Sequence, residues 1–342
     1  MPINPQHHYI LVVGGAGFIG SHMVLSLRRA GYIPIVLDNL SKGHRDAVLG
    51  AELIVGDMAD ESLLKQLFSK YSFAAVMHFG ALIEVAESVR HPAKYYQNNV
   101  AATVTLLDMM IKNNINHIIF SSTAAVYGEP QAEKITESHP LAPINPYGRS
   151  KWMVEEIIQD LAKSHSLNFS ILRYFNAAGA DVQGGLCERH EPESHLIPLV
   201  LQAAQGLRDH ITIYGNQYPT IDGTCVRDYV HVIDLCQAHL LALNKLLTEK
   251  KNSIYNLGTG EGCSVAQVIE AAGYVTGKKI ITKQGAPREG DPAILVADAT
   301  LAKRELQWLP IYSDLNTILL HAWQAMQQQT VPTSASLNLL LF

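Results

Sequence analysis

Long apolar runs are absent. No stretch of about 18 uninterrupted apolar residues occurs, so no transmembrane helix is expected. The first stretch, MPINPQHHYILVVGGAGFIG, has no basic region and no small-residue cleavage site, so no secretory leader is expected either. The tail SLNLLLF is apolar but short, and reads as packing or dangling rather than anchoring. Cysteine is scarce: Cys187, Cys225, Cys236 and Cys263 are four widely spaced residues in 342. That argues against a disulfide framework and for reduced thiols in a reducing compartment, the cytoplasm. Positive charge is in short supply, with 26 Lys and Arg against 31 Asp and Glu and a formal net charge of −5. With a pI near 6.3 there is no electrostatic footprint for nucleic acid or an anionic membrane, so neither is expected as a partner. The 15 histidines are scattered, and no HExxH or CxxC pattern occurs, so no metal site is expected. Internal repeats and low-complexity linkers are also missing.

What is present is an ordinary globular balance, 48% hydrophobic and 17% charged, enough for one large or two ordinary domains. The first half alternates short apolar runs with helix-length segments. HYILVVGG, IPIVLDN, AELIVGD, AAVMHFG, NHIIFSS and NFSILRYFN read as buried strands, with helices such as 19–29 and 61–70 between them. Continuous apolar strands alternating with helices predict an α/β fold, a doubly wound parallel sheet of Rossmann type covered on both faces. Near residue 180 the rhythm changes to a polar loop, DVQGGLCERHEPESH, followed by mixed helix and short-strand text. The expected organisation is a dinucleotide-binding domain over 1–175, with 230–260 returning to it. A smaller mixed α/β substrate domain is built from 176–229 and 261–342.

Between the first strand and first helix, VVGGAGFIG places Gly14, Gly15, Gly17 and Gly20. A pyrophosphate at a helix N-terminus needs close backbone approach and available N–H groups, and glycine permits both. The second strand ends in LDN, placing Asp38 about 20 residues on, where a carboxylate can accept both ribose hydroxyls and repel a 2′-phosphate. NAD is therefore expected rather than NADP. Asp57 and Met58 follow the third strand, and Phe79, Gly80 and Ala81 the fourth. Ligands in such sheets lie at the carboxyl ends of strands.

In NPYGRSK, Tyr147 and Lys151 stand at i and i+4 and share one helix face. A free tyrosine is a poor base near neutrality, and a neighbouring ammonium together with a positive nicotinamide ring would favour the phenolate. Ser122 or Thr123, at the end of the fifth strand, could bond the same substrate oxygen. The set suits removal of a hydroxyl proton while hydride leaves its carbon.

These residues bring a resemblance into view. GGAGFIGSH, LDNLSKG, HFGAL, ESV, NNV, FSSTAAVYG, NPYGRSK, LRYFNAAGA, IYGNQYPTIDGTCVRDYVHV, YNLGTG and PREGDP occur in one order between about Tyr9 and Leu309. The chain resembles the extended short-chain dehydrogenase/reductase family, and within it the UDP-glucose 4-epimerases. The resemblance implies reversible 4-epimerisation of UDP-glucose and UDP-galactose through a transient 4-keto sugar. NAD would stay bound, Tyr147 would take the 4-hydroxyl proton with help from Thr123, and Lys151 would hold the ribose and lower the Tyr147 pKa. The implied cofactor set also takes in Phe18, Ile19, Asn39, Asn98, Ser121, Ser122 and Tyr174. For the UDP-sugar the resemblance implies Asn176, His195, Leu196, Ile213, Tyr214, Arg227, Arg288, Asp291 and Leu295, the arginines being the groups a diphosphate calls for. It also implies a homodimer, with helices over 93–113 and 147–163 as the interface.

Four positions depart from the common pattern. Thr123 stands where Ser is frequent, and keeps the hydroxyl. Ile83 and Glu84 follow HFGAL where many relatives place a cofactor-touching Lys. Leu295 is intermediate in size at the position that governs entry of N-acetylated sugars, which leaves UDP-GlcNAc and UDP-GalNAc as alternative substrates. The nucleotide-sugar 4,6-dehydratases carry Asp-Glu after the Thr; here Ala124 and Ala125 cannot shuttle protons, which disfavours that chemistry. An NAD-binding regulator on the same fold would have no need of the Thr, Tyr, Lys and arginine set.

Overall fold

The computed structural model describes residues 8–183, 185–288 and 292–330. The apolar tail discussed above and Asp291 lie outside the described residues.

Six strands with the apolar, β-branched text predicted for them run in parallel: β1 (Tyr9–Val13), β2 (Ile33–Asp38), β3 (Glu52–Val55), β4 (Phe73–His78), β5 (His117–Thr123) and β6 (Asn168–Tyr174). Their order in the sheet is β3-β2-β1-β4-β5-β6, and a later strand, β10 (Ser253–Leu257), closes the edge beside β6 to make seven. The direction of winding therefore reverses between β1 and β4, and the glycine loop leaves β1 at that crevice.

Residues alternate along each strand, so β1 feeds two cores. Ile10 and Val12 pack under α1 (Phe18–Arg29), α8 (Val232–Glu249) and α10 (Thr300–Leu306). Leu11 and Val13 pack under α2 (Glu61–Lys70), α5 (Ala102–Lys112) and α6 (Pro146–Ser164). Between β4 and α5 the chain makes two short helices, α3 (Val85–Arg90) and α4 (Pro92–Tyr95), then a π-helical turn, Tyr96–Ala101, that leads straight into α5. Single π turns inside helices are frequent at functional sites.

The smaller unit centres on β9 (Val226–His231). β7 (Asn176–Ala178) and β13 (Ile294–Leu295) pair with it in parallel, and β11 (Gly262–Ser264) pairs antiparallel. A two-stranded ribbon, β8 (Ile211–Tyr214) with β12 (Thr282–Gly285), lies apart. A third core joins β8 and β9 to α7 (Leu196–Gln205), α9 (Val265–Thr276) and α11 (Leu315–Thr330). Asp228 ties this unit together: its buried carboxylate accepts from the backbone N–H of Thr259, Gly260 and Ala297 and from the Thr259 hydroxyl. No helix among the described residues is long and apolar enough to cross a membrane.

Candidate active site

The glycine loop is shaped by close approach. Gly14 has φ +76°, and a Cβ there would sit 2.5 Å from the Gly80 nitrogen, so the ends of β1 and β4 can meet only with glycine at this point. Gly17 caps α1 with extended backbone and no side-chain hydrogen bond, and the space beside it is open: a Cβ there would meet only the Gly14 carbonyl oxygen, at 3.5 Å. Phe18, Ile19 and Gly20 form the first turn of that helix. A half-buried helix N-terminus with room before it and no acidic residue in its first turn fits a pyrophosphate.

Asp38 ends β2 and is buried, its carboxylate accepting from Ala16 N–H at 2.9 Å and from Leu40 N–H at 2.8 Å. It thus braces the glycine loop and its own turn at once, and each oxygen keeps a further lone pair for a ligand. Asn39 donates to exposed Asp57 at 2.9 Å, joining the loops after β2 and β3, while Met58 is buried beneath them. Phe79, Gly80 and Ala81 line the loop after β4. That loop is fixed by Asn99, a residue without an assigned role in the sequence reading. Its side chain accepts from Leu82 N–H and donates to the Leu82 carbonyl and to the Ser150 hydroxyl on α6. Asn98 in the same π turn donates to Asn99. The doublet in NNV was the available signal.

Thr123 ends β5 opposite its register partner Tyr174 on β6. Asn145 caps α6 by accepting from Gly148 N–H, and Pro146 opens the helix, which sets Tyr147 in its first turn. Gly148 lets that turn press on the 124–126 turn, since a Cβ would lie 2.4 Å from the Ala125 carbonyl oxygen. Burial pushes the Tyr147 pKa up to about 12, Glu84 adds to the rise, and the nearby Thr123 hydroxyl works against it.

Lys151 donates from its ammonium to the Ser121 carbonyl at 2.8 Å over the Phe120 ring, and burial brings its pKa down to about 7. One expectation changes here. Ser122 does not stand beside Thr123 as an alternative donor. Its hydroxyl is buried and donates to Glu155, which is also bound by Arg173. Ser121 lies beside Tyr174, whose phenol burial holds above its usual range.

The substrate candidates divide into three places. Asn176, Arg227 and Leu295 gather on the small sheet, where Asn176 pairs in register with Tyr229, and Leu295 with Arg227. On β8, Ile213 turns into the third core, while Tyr214 is 41% exposed and carries the Arg288 guanidinium 4.2 Å above its ring. His195 caps α7 and Leu196 begins it, at the end of a polar strap over 188–194. Asp291 is not among the described residues.

The strap crosses to the large sheet. Lys42 donates to the Glu191 carbonyl, Arg189 pairs with Asp46, and the Ser194 hydroxyl meets the Glu84 carboxylate. Glu84 at the Lys position thus receives the strap. Within the strap Glu188 and Glu193 lie against His190 and His195, and these carboxylates push the two imidazoles up, to about 9 and about 11.

The model of the NAD dependent epimerase/dehydratase family matches residues 10–258. A UDP-glucose 4-epimerase from Halalkalibacterium halodurans is 48% identical over 314 residues, 92% of this chain and 94% of that protein. Among solved structures, a UDP-glucose 4-epimerase from Brucella ovis in complex with NAD superposes with a TM-score of 0.90 at 46% identity, covering 93% of this chain and 98% of the other. One from Bifidobacterium longum, in complex with NAD+ and UDP, gives 0.90 at 36% identity over 94% and 98%.

Proposed function

The chain belongs to the NAD dependent epimerase/dehydratase family, and we propose that it interconverts UDP-glucose and UDP-galactose by inverting sugar carbon 4 through a transient 4-keto sugar. The observation that carries this reading is the placing of Tyr147, in the first turn of α6, beside Thr123 at the carboxyl end of β5, next to a glycine loop shaped for a dinucleotide. NAD, when bound against Gly14–Gly20, Asp38, Asp57 and the loop after β4, supplies a hydride acceptor and donor at that carbon.

The chain's own residues handle the proton. Tyr147 takes it from the 4-hydroxyl and returns it to the 4-keto oxygen, and Thr123 orients the phenol and that oxygen by its hydroxyl. Lys151, one helical turn on, is the cation the chain places on that helix face. Asn176, Arg227, His195, Leu196, Tyr214, Arg288 and Leu295 take the UDP-sugar, with the two guanidinium groups on the diphosphate side. Ile213 supports Tyr214 from the core. Asp291 completes the same assignment. The large-sheet unit, 1–175 with 230–260, holds the cofactor and the remainder holds the sugar nucleotide.

We also take the protein to be a cytoplasmic homodimer. Val104 on α5 and Met153 on α6, each 41% exposed, mark an apolar surface suited to pairing. The test of the main reading is a product assay on purified protein without added NAD, offering UDP-galactose and UDP-GalNAc separately. UDP-glucose from the first is the expected result. No product from either, with or without NAD, overturns the reading. Turnover of UDP-GalNAc as well would make the Leu295 pocket dual in specificity.

A further inference from the structure

The strap holds a constellation of which the proposed sugar-nucleotide site uses only His195. Glu188, His190, Glu193 and His195 each offer a ligand atom, and all four atoms lie within 4.8 Å of one another. Both carboxylates are deeply buried, with side chains 7% and 6% exposed. The His195 Nδ1 stands 2.9 Å from Glu188 Oε1 and 3.2 Å from Glu193 Oε1. The His190 Nδ1 stands 3.3 Å from Glu188 Oε1 and 3.7 Å from Glu193 Oε2, and makes no hydrogen bond there.

These spacings have a meaning in coordination chemistry. A tetrahedral zinc ion with bonds of about 2.0–2.2 Å sets its ligand atoms about 3.3–3.6 Å apart. The three nitrogen-to-oxygen separations to Glu188 Oε1 and Glu193 Oε2, 2.9, 3.3 and 3.7 Å, bracket that edge. Two neutral imidazoles and two carboxylates form a neutral complex with a divalent cation, which takes the place of the two protons the imidazoles carry beside these carboxylates. Glu193 is already held in place, its Oε1 accepting from the backbone N–H of Ser194 and His195, so that Oε2 remains for a metal. A cavity of about 290 Å³, lined by Glu188, His190 and Glu193 with Cys187 and α7, gives the cluster an entry path. Tyr147 and Lys151 do not line it.

We propose that Glu188, His190, Glu193 and His195 form a structural site for a divalent transition metal of the zinc class. The ion clamps the strap between the N-terminus of α7 and the large-sheet contacts at Lys42, Asp46 and Glu84. No HExxH or CxxC pattern flags the four residues, because the spacings Glu-x-His and Glu-x-His sit in a loop that folds them together.

The site does not depend on the epimerase reading, and its test separates the two. The purified full chain is stripped with chelator and dialysed against zinc chloride, and bound metal is counted. Cobalt chloride in place of zinc reports coordination geometry through its visible bands. About one zinc per chain and intense tetrahedral cobalt bands are expected, together with a higher Tm in zinc. His190→Ala and Glu193→Gln should each weaken zinc binding at least about tenfold. Cys187→Ser should not. Circular dichroism of each variant without metal confirms that it folds. Absence of stoichiometric zinc in the folded wild type, or binding unmoved in both folded ligand variants, overturns the site whatever the turnover of UDP-galactose. Zinc binding without turnover overturns the epimerase reading alone.

Discussion

The Ser194 hydroxyl lies 2.8 Å from each carboxylate oxygen of Glu84. This contact joins the strap of the smaller unit to the loop after β4, and it sets a negative charge where it raises the Tyr147 pKa. Glu84→Gln keeps an acceptor for Ser194 but removes the charge. Tyr147 works as a base only when deprotonated, so a lower Tyr147 pKa extends activity downward in pH. The acid limb of kcat against pH is expected to move to lower pH in the variant. An unmoved or oppositely moved limb would separate Glu84 from the Tyr147 titration.

Tyr147→Phe keeps the ring and loses the proton acceptor. NAD and UDP-sugar should still bind, measured by calorimetry or fluorescence, while kcat falls by about 10²–10⁴-fold, the usual worth of a positioned acid–base group. Turnover near that of the wild type would remove Tyr147 from its assigned role.

Much of this geometry could be read from residue order, and the reason is local. Strands of a doubly wound sheet carry their own apolar text, and the glycine loop and the Tyr147–Lys151 pair are contiguous motifs on single turns, so each announces itself. Ser122 and Thr123 were indistinguishable in sequence because both are hydroxyls at a strand end. Strand alternation separates them, sending Ser122 to Glu155 and Thr123 to Tyr147. The hold of the Ser121 carbonyl on Lys151 is not legible either, because a sequence does not report which carbonyl an ammonium faces. The contact of Glu84 with Ser194, 110 residues apart, and the gathering of the strap around Glu188 and His195 depend on how the loop closes. Neither has a periodicity to betray it.

Gly148 offers a test of positioning that leaves every reacting group intact. A methyl at this residue meets the Ala125 carbonyl at 2.4 Å, so Gly148→Ala must push the first turn of α6 off the 124–126 turn. Tyr147 would then part from Thr123. We expect kcat to fall by about tenfold or more with NAD content unchanged, because shifts of about 1 Å in reacting groups cost up to about a hundredfold. Loss of NAD in proportion to activity would mean a folding defect instead.

Glu155 measures what holds the site's floor. Its carboxylate takes the Arg173 guanidinium at 3.0 and 3.1 Å through Nε and also the Ser122 hydroxyl, with the two ionic side chains 0% and 3% exposed. Arg173 reaches on to the Tyr127 hydroxyl, which donates to Asn256 on the edge strand β10. Removing one partner leaves a buried charge without its counterion, which typically costs about 3–5 kcal/mol. Glu155→Ala should therefore lower the unfolding free energy obtained from a urea titration by that amount, whereas Glu155→Leu with Arg173→Met removes both charges and should recover much of the loss. A single variant as stable as the double would mean that water, rather than protein, satisfies Arg173, and that α6 is held over β5 and β6 by its apolar face alone.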